Sequence, residues 1–279
     1  MRIGSNVSMK IQRAYNLRFS FILAAVLLSL THFYGIAMAQ ETDAIPLPAQ
    51  DKTIILAAED SWPPFANQFG QGISHRLIKA AFKQSHIEIN SLVVPYTRAL
   101  MMAEKGDVDG VFNVTREAST EQRFVFGQFP LFVATASFYQ KKQKSILADN
   151  KWALPRGTVV GIVKSYEYGD DFPALVKQQQ LNIVAVANQL QLINLLLIGR
   201  IDTALMFDLV AKDNLQTMGV DDEIIPIFAN HSSNIYLAFS KENPQAHTLA
   251  SQLDAGLSQL KATGQYEKLF SLSPIAASE

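Results

Sequence analysis

The chain is 279 residues long, with 24 Lys+Arg against 25 Asp+Glu, 48% apolar residues, 11 Pro, 14 Gly and no cysteine. That length suits about two domains and a sizeable core. The lack of cysteine excludes disulfides, thiolate metal sites, iron–sulfur clusters, cysteine nucleophiles and a lipid-modified N-terminal cysteine, and the net charge of −1 argues against nucleic-acid binding.

Arg2, Lys10, Arg13 and Arg18 form a basic leader, followed by the apolar run Phe19 to Leu30 and the small residues Ala37-Met38-Ala39. This order predicts a secretory signal peptide over residues 1–39, cut before Gln40. An uncleaved membrane anchor is the alternative, since Phe19 to Ala39 is long enough to cross a bilayer, although His32 interrupts it. Loss of the four cations leaves 20 Lys+Arg against 25 Asp+Glu, a net charge of −5. An exported chain that can be neither lipid-anchored nor disulfide-stapled points to a free, soluble protein of a Gram-negative periplasm.

Residues 40–52, with Pro46 and Pro48, read as a flexible leader. Thr53 to Ala58 suits a buried strand, and Ile73 to Gln84 carries apolar residues at 73, 77, 78, 81 and 82, the helical spacing. Ile87 to Val94 reads as a second strand, Tyr96 to Glu104 as a helix stopped by Gly106, and Val108 to Phe112 as a third strand. The order βαβαβ predicts a mainly parallel sheet covered by helices.

The unit recurs. Val159 to Val163, Ile183 to Val186 and Ile201 to Met206 read as strands, and Phe172 to Gln179 and Gln189 to Ile198 as helices, the second stopped by Gly199. Gly106-Asp107-Val108-Asp109 and Gly199-Arg200-Ile201-Asp202 repeat one pattern at equivalent places: a helix end, Gly, a polar residue, a β-branched residue, Asp, then a strand. Asn234 to Phe239 reads as another strand. Asn243-Pro244 is a helix start, followed by the stripe Leu249, Leu253, Leu257 and Leu260 and a last helix from Gln265 to Phe270. That tail is placed back on the first unit. Crossings near Phe138 to Lys141 and Ser232 to Ile235 would form a hinge.

Glu59-Asp60-Ser61-Trp62-Pro63-Pro64-Phe65, Pro95-Tyr96-Thr97-Arg98-Ala99, the two Gly-x-x-Asp segments and Thr120-Glu121-Gln122-Arg123 together resemble the extracellular solute-binding proteins of family 3. These are type II periplasmic binding proteins typified by the amino-acid receptors of ABC importers. The resemblance spans roughly residues 53–272. It implies an α/β, type II periplasmic-binding-protein fold: lobe 1 over 53–139 plus 234–275, lobe 2 over 140–233, a hinge and an inter-lobe cleft.

Matched position by position, the resemblance places Trp62 where an aromatic residue packs on the ligand, and Glu59 where an acid faces the ligand side chain. It places Arg123 as the arginine that grips a ligand carboxylate, a role suited to a guanidinium fork. The stretch from Asp109 to Arg123 is about two residues longer than in the amino-acid receptors, so Arg116 competes for that role. Asn113 and Thr115 follow as polar contacts. Ser165 and Tyr166, read as opening a helix whose N–H groups attract an anion, come from the second lobe. Asp208 approximates the acid that pairs with a ligand amino group, or else caps a helix over 209–214.

The five His show no metal-ligand spacing, and no phosphate loop or nucleophile elbow occurs. No cofactor or metal is expected, nor a nucleic-acid partner. The leading expectation is a monomeric, non-enzymatic periplasmic receptor that closes on a small carboxylate-bearing solute for an ABC permease or membrane sensor. Two alternatives share the scaffold: a sensory module without its own importer, and a cyclohexadienyl dehydratase-like enzyme with Glu59 or Glu167 as general acid.

Overall fold

The structure, a computed structural model, describes residues 52–271 apart from 145 and 147. The predicted signal peptide, and all of the predicted leader except Lys52, lie outside the described residues. In chain order the first half holds β1 (Lys52–Glu59), β2 (Ser61–Trp62), β3 (Ala66–Asn67), α1 (Ile73–Phe82), β4 (Ile87–Val94), α2 (Tyr96–Lys105), β5 (Gly110–Thr115), α3 (Ala118–Glu121), β6 (Phe124–Phe126) and β7 (Phe132–Lys141). Then come β8 (Val159–Val163), α4 (Phe172–Gln178), β9 (Asn182–Val186), α5 (Gln189–Leu197), β10 (Thr203–Phe207), α6 (Asp208–Met218), β11 (Ile224–Ser240), α7 (Ala246–Ala262) and α8 (Gln265–Ser271).

One large sheet runs in the order β4-β1-β5-β11-β7-β10-β8-β9, with β6 paired to β11. The wings β4-β1-β5 and β9-β8-β10 are parallel, and each places its second strand outermost, its first in the middle and its third innermost. The two predicted βαβαβ units are therefore these wings. Between them β7 and β11 run antiparallel, from Ile224 opposite Lys141 to Ile235 opposite Phe132. Both predicted crossings belong to this ladder: Phe138 to Lys141 lies at one end and Ser232 to Ile235 at the other.

The repeated Gly-x-x-Asp pattern has the same work in both wings. Gly106 and Gly199 end their helices with φ of 78° and 70°, conformations that cost a glycine little. The next N–H in each case reaches back to close the helix, Asp107 to the Met102 carbonyl and Arg200 to the Leu195 carbonyl, each at 2.9 Å. The aspartate then grips the wing's first strand. Asp109 accepts from the Ile55 N–H at 2.7 Å and donates its own N–H to the Ile55 carbonyl at 2.8 Å. Asp202 does the same with Val159, at 2.8 Å in both directions.

Several boundaries move, three of them for a visible reason. The third strand begins at Gly110 instead of Val108, because Asp107 to Asp109 are used by the turn that makes this clamp. The strand expected from Asn234 to Phe239 starts ten residues earlier, at Ile224, over a stretch that contains Pro226 and the polar run Asn230 to Asn234 and so lacks strand periodicity. The helix expected at Asn243-Pro244 starts at Ala246, since the Asn243 side chain accepts from the Gln245 N–H at 2.8 Å and forms a turn ahead of it.

The Leu249, Leu253, Leu257 and Leu260 stripe of α7 is buried in the same core as Ile73, Leu77, Ile78 and Phe82 of α1. The tail thus returns to the first wing. The two helices touch at Gly256, where an added Cβ would lie 2.0 Å from the Ala81 carbonyl oxygen. Gly256→Ala should gain about 1 kcal/mol of helix propensity, yet overpacking against backbone costs about 1–3 kcal/mol. Net destabilisation is expected, read as a lower urea midpoint. A raised midpoint would show that the helices separate freely.

Candidate functional site

The carboxyl ends of the parallel strands from both wings converge, the usual place for a ligand in open α/β sheets. β1 ends at Glu59, β5 at Thr115 and β10 at Phe207, and β8 runs into Lys164 to Tyr168. Ser165 turns that last segment with φ of 66°, and the Tyr168 hydroxyl accepts from the Val163 N–H at 3.0 Å. The expected helix start at Ser165 is displaced: α4 begins only at Phe172. The Ser165 and Tyr166 N–H groups therefore do not form a helix N-terminus.

These ends enclose a cavity of about 10 Å³, lined by Glu59, Trp62, Tyr96, Asn113, Thr115, Tyr166, Glu167 and Phe207. Two carboxyl–phenol pairs cross it in opposite senses. Tyr166 of the second wing donates to Glu59 of the first, and Tyr96 of the first donates to Glu167 of the second at 2.9 Å. Burial pushes both carboxyls up to about 8, with the neighbouring acids Asp60 and Glu167 raising Glu59 further and Glu117 raising Glu167; the phenol bonds pull the other way. The Tyr96 and Tyr166 phenols are held above their ordinary value, chiefly by burial.

An aromatic wall backs the carboxyls. Trp62 stands edge-on to Phe207 with centroids 5.3 Å apart, and Tyr96 edge-on to Tyr166 at 5.2 Å, geometries favoured by ring quadrupoles. Two buried donors in this lining have no hydrogen-bond partner among the described residues, Trp62 Nε1 and Asn113 Nδ2. Asn113 takes a φ of 66°, and its Oδ1 accepts from the Ser74 hydroxyl, so the amide is turned with its nitrogen free.

An outer cleft of about 460 Å³ adjoins the cavity, and Tyr166 and Glu167 line both. Further bonds between the wings cross here. Thr97 donates to Ser165 Oγ at 3.0 Å, the Gly169 N–H to Glu117 at 2.7 Å and the Ala118 N–H to Asp170 at 3.1 Å.

Five of the nine candidate residues thus share the cavity: Glu59, Trp62, Asn113, Thr115 and Tyr166. Ser165 and Arg123 line the outer cleft, where Arg123 makes a two-pronged pair with Glu104 at 2.9 and 3.0 Å. Arg116 and Asp208 lie apart. Arg116 pairs with Glu121 at 2.6 Å and packs over Phe126 and Tyr236 beside a separate groove that holds Lys241 and His247. Asp208 accepts from the Tyr139 hydroxyl at 2.9 Å and faces another groove, with Lys212. It is the first residue of α6, and its side chain caps nothing.

Tyr96, Glu167 and Phe207 were not among the candidates. Phe207 was findable as the residue that ends a parallel strand. Tyr96 had a helix-start signal, and Glu167 entered only as a possible acid. Among the described residues, no three His, Cys, Asp or Glu side chains group to hold a metal ion, and no helix is long and apolar enough to cross a membrane.

The same fold is found in solved structures of several kinds. A histidine kinase sensor domain with similarity to periplasmic binding proteins is 16% identical, covering 79% of this chain and 95% of its own, with a TM-score of 0.70. An ancestral arginine-binding protein bound to arginine is 19% identical over 79% of this chain and 97% of its own, with a TM-score of 0.68. AncCDT-1, an ancestral amino acid-binding protein and precursor of cyclohexadienyl dehydratase, is 17% identical over 78% and 93%, with a TM-score of 0.64. No curated protein matches the sequence. Residues 54–271 match the family model of the bacterial extracellular solute-binding proteins, family 3, and with strands, cleft and sequence in agreement the chain belongs to that family.

Proposed function

We propose that the protein is a monomeric, non-enzymatic periplasmic receptor whose two lobes, 53–139 plus 234–275 and 140–233, close on a small carboxylate-bearing solute such as an amino acid. The closed form would be the shape that an ABC permease, or a membrane sensor, recognises. The observation that carries this reading is the polar cavity at the strand ends, bridged between the wings by Tyr166–Glu59 and Tyr96–Glu167 while the strands β7 and β11 run between those wings. Such a ladder can bend where its register shifts, between Pro226 and Phe228 and between Ala229 and His231. Arg123 in the outer cleft is the group suited to the carboxylate, which would compete with Glu104 for it.

A ligand at 100 times its Kd adds about 2.7 kcal/mol, which for a chain of this size raises Tm by about 5–10 °C. An amino-acid panel should therefore contain members that shift Tm by this much, and Arg123→Ala should diminish the shift. An unchanged Tm across a broad metabolite panel would sink the receptor reading.

The two carboxyls held protonated near neutral pH favour one second reading, a dehydratase-like enzyme in which Glu59 or Glu167 is the general acid. The likeness in fold to the dehydratase precursor is compatible with it. Incubation with prephenate or arogenate tests it, and product no faster than the spontaneous background removes it.

A further inference from the structure

The five cross-cleft bonds described above all end on one segment of the second wing, Ser165 to Asp170. Tyr166 reaches Glu59, Glu167 accepts from Tyr96, Ser165 accepts from Thr97, Gly169 reaches Glu117, and Asp170 accepts from the Ala118 N–H. The segment is fastened to its own side as well. Lys164 donates its N–H to the Val186 carbonyl at 2.8 Å, Tyr168 holds the Val163 N–H through its hydroxyl, and Asn230 Nδ2 donates to the Tyr168 carbonyl at 2.8 Å. Between these fixed points Ser165 takes the left-handed conformation, which costs an L residue energy and persists where the surroundings impose it. Tyr166 follows directly, and its ring packs against a core of the first wing that includes Ala57 and Val114 as well as one of the second that includes Val163 and Leu192. Ring and hydroxyl fill the space that the strand ends enclose, leaving about 10 Å³ there against about 460 Å³ in the outer cleft. A solute pocket usually measures about 300–1,000 Å³.

We propose that this segment is a strap with a built-in occupant: it holds the wings together before any solute arrives, and the Tyr166 phenol takes the place of a solute on Glu59. Solute and strap then compete for one acceptor and one space. The competition rests on the receptor reading; the holding of the wings does not. Tyr166 thereby changes role, from a group that contacts the solute to one that the solute must displace. Entry to the inner cavity breaks the Tyr166–Glu59 and Tyr96–Glu167 bonds and bends the ladder of β7 and β11. The apparent affinity is therefore the intrinsic affinity reduced by the fraction of molecules whose strap is released. One hydrogen bond shifts such an equilibrium by about 2- to 10-fold, so five acting together keep the released form rare.

Distances between spin labels test the strap without any solute. The chain has no cysteine of its own, so Leu92→Cys in β4 and Leu190→Cys in α5, exposed positions on opposite wings, take one label each. The labelled parent should give one narrow distance distribution. Adding Tyr166→Phe and Tyr96→Phe keeps both rings, removes both phenol bonds and should bring in a second, longer population. A parent that already shows the longer population, or a double variant that shows none, overturns the strap. The common L-amino acids then serve as probes in calorimetry on the parent and on Tyr166→Phe alone, with near-ultraviolet dichroism to confirm intact ring packing. Each amino acid that binds should bind Tyr166→Phe about 2- to 10-fold more tightly, because the competing bond is gone. Equal or weaker binding overturns the competition, and weaker binding makes the hydroxyl a contact to the solute. If no amino acid binds either protein, the receptor reading and the competition fall, and the label distances alone decide whether the strap holds the wings.

Discussion

The ligand-free protein should lose stability as pH rises from about 6.5 to 8.5, and Glu59→Gln should remove much of the loss. Glu59 and Glu167 ordinarily titrate at 4.5 and are pushed up to about 8 in the fold, first by burial. Between those values the folded chain keeps protons that the unfolded chain releases, so stability falls with rising pH until the folded groups ionise as well. For the buried Glu59 the whole window is worth on the order of 3–5 kcal/mol. His75 acts with the opposite sign and elsewhere: burial, with Lys79 beside it, pulls its imidazole down from 6.5 to about 4, so it weakens the fold as pH falls below 6.5 and is silent above. Glu104 and Asp202 are held below their ordinary values, and their contributions are complete before the window opens. Glutamine at position 59 can still accept the Tyr166 hydroxyl without ever ionising, so the variant should melt above the parent at pH 8.5. A flat profile shared by both proteins would show that water reaches Glu59.

How far the sequence anticipates this arrangement depends on whether a residue's role is local. The wings were legible because their strands are short apolar runs and the second helix of each stops at a Gly followed by a strand-gripping aspartate, Asp109 or Asp202. The long strand β11 was not, since its polar half from Asn230 to Asn234 is held extended by partners on β7 instead of by its own pattern. In the site, Glu59 and Trp62 stood out through the family resemblance of the segment from Glu59 to Phe65. The assignment of Arg116 depended on loop length alone, and that loop turns the side chain out to Glu121 and the rings of Phe126 and Tyr236. Asp208 is one position past Phe207, and that single step takes it from the cavity to Tyr139. The pairing of Tyr96 with Glu167 joins residues 71 apart in the chain, and no local pattern encodes it.

Trp62→Ala should be the most damaging single truncation in the cleft, and Trp62→Phe should be nearly silent in the ligand-free protein. The indole is 2% exposed and packs against Phe65 at 4.8 Å, Phe132 at 6.1 Å and Phe207 at 5.3 Å between centroids. Replacing a buried tryptophan by alanine costs about 3–5 kcal/mol in lost transfer energy and cavity formation. Phenylalanine keeps a ring against the same neighbours and removes Nε1–H, a buried donor that is already unpartnered, so its cost should stay below about 1.5 kcal/mol. Because Phe207 belongs to the opposite wing, part of the alanine cost is lost contact between the wings. Phe207→Ala and Trp62→Ala should therefore be less than additive by about 0.5–1.5 kcal/mol in a double-mutant cycle read by urea unfolding. Ligand binding separates the two roles of the indole: if Nε1–H serves the solute, Trp62→Phe weakens binding while leaving the unfolding midpoint almost unchanged. A large fall in midpoint for Trp62→Phe, or additive alanine costs, would mean that the ring is not the element joining the wings.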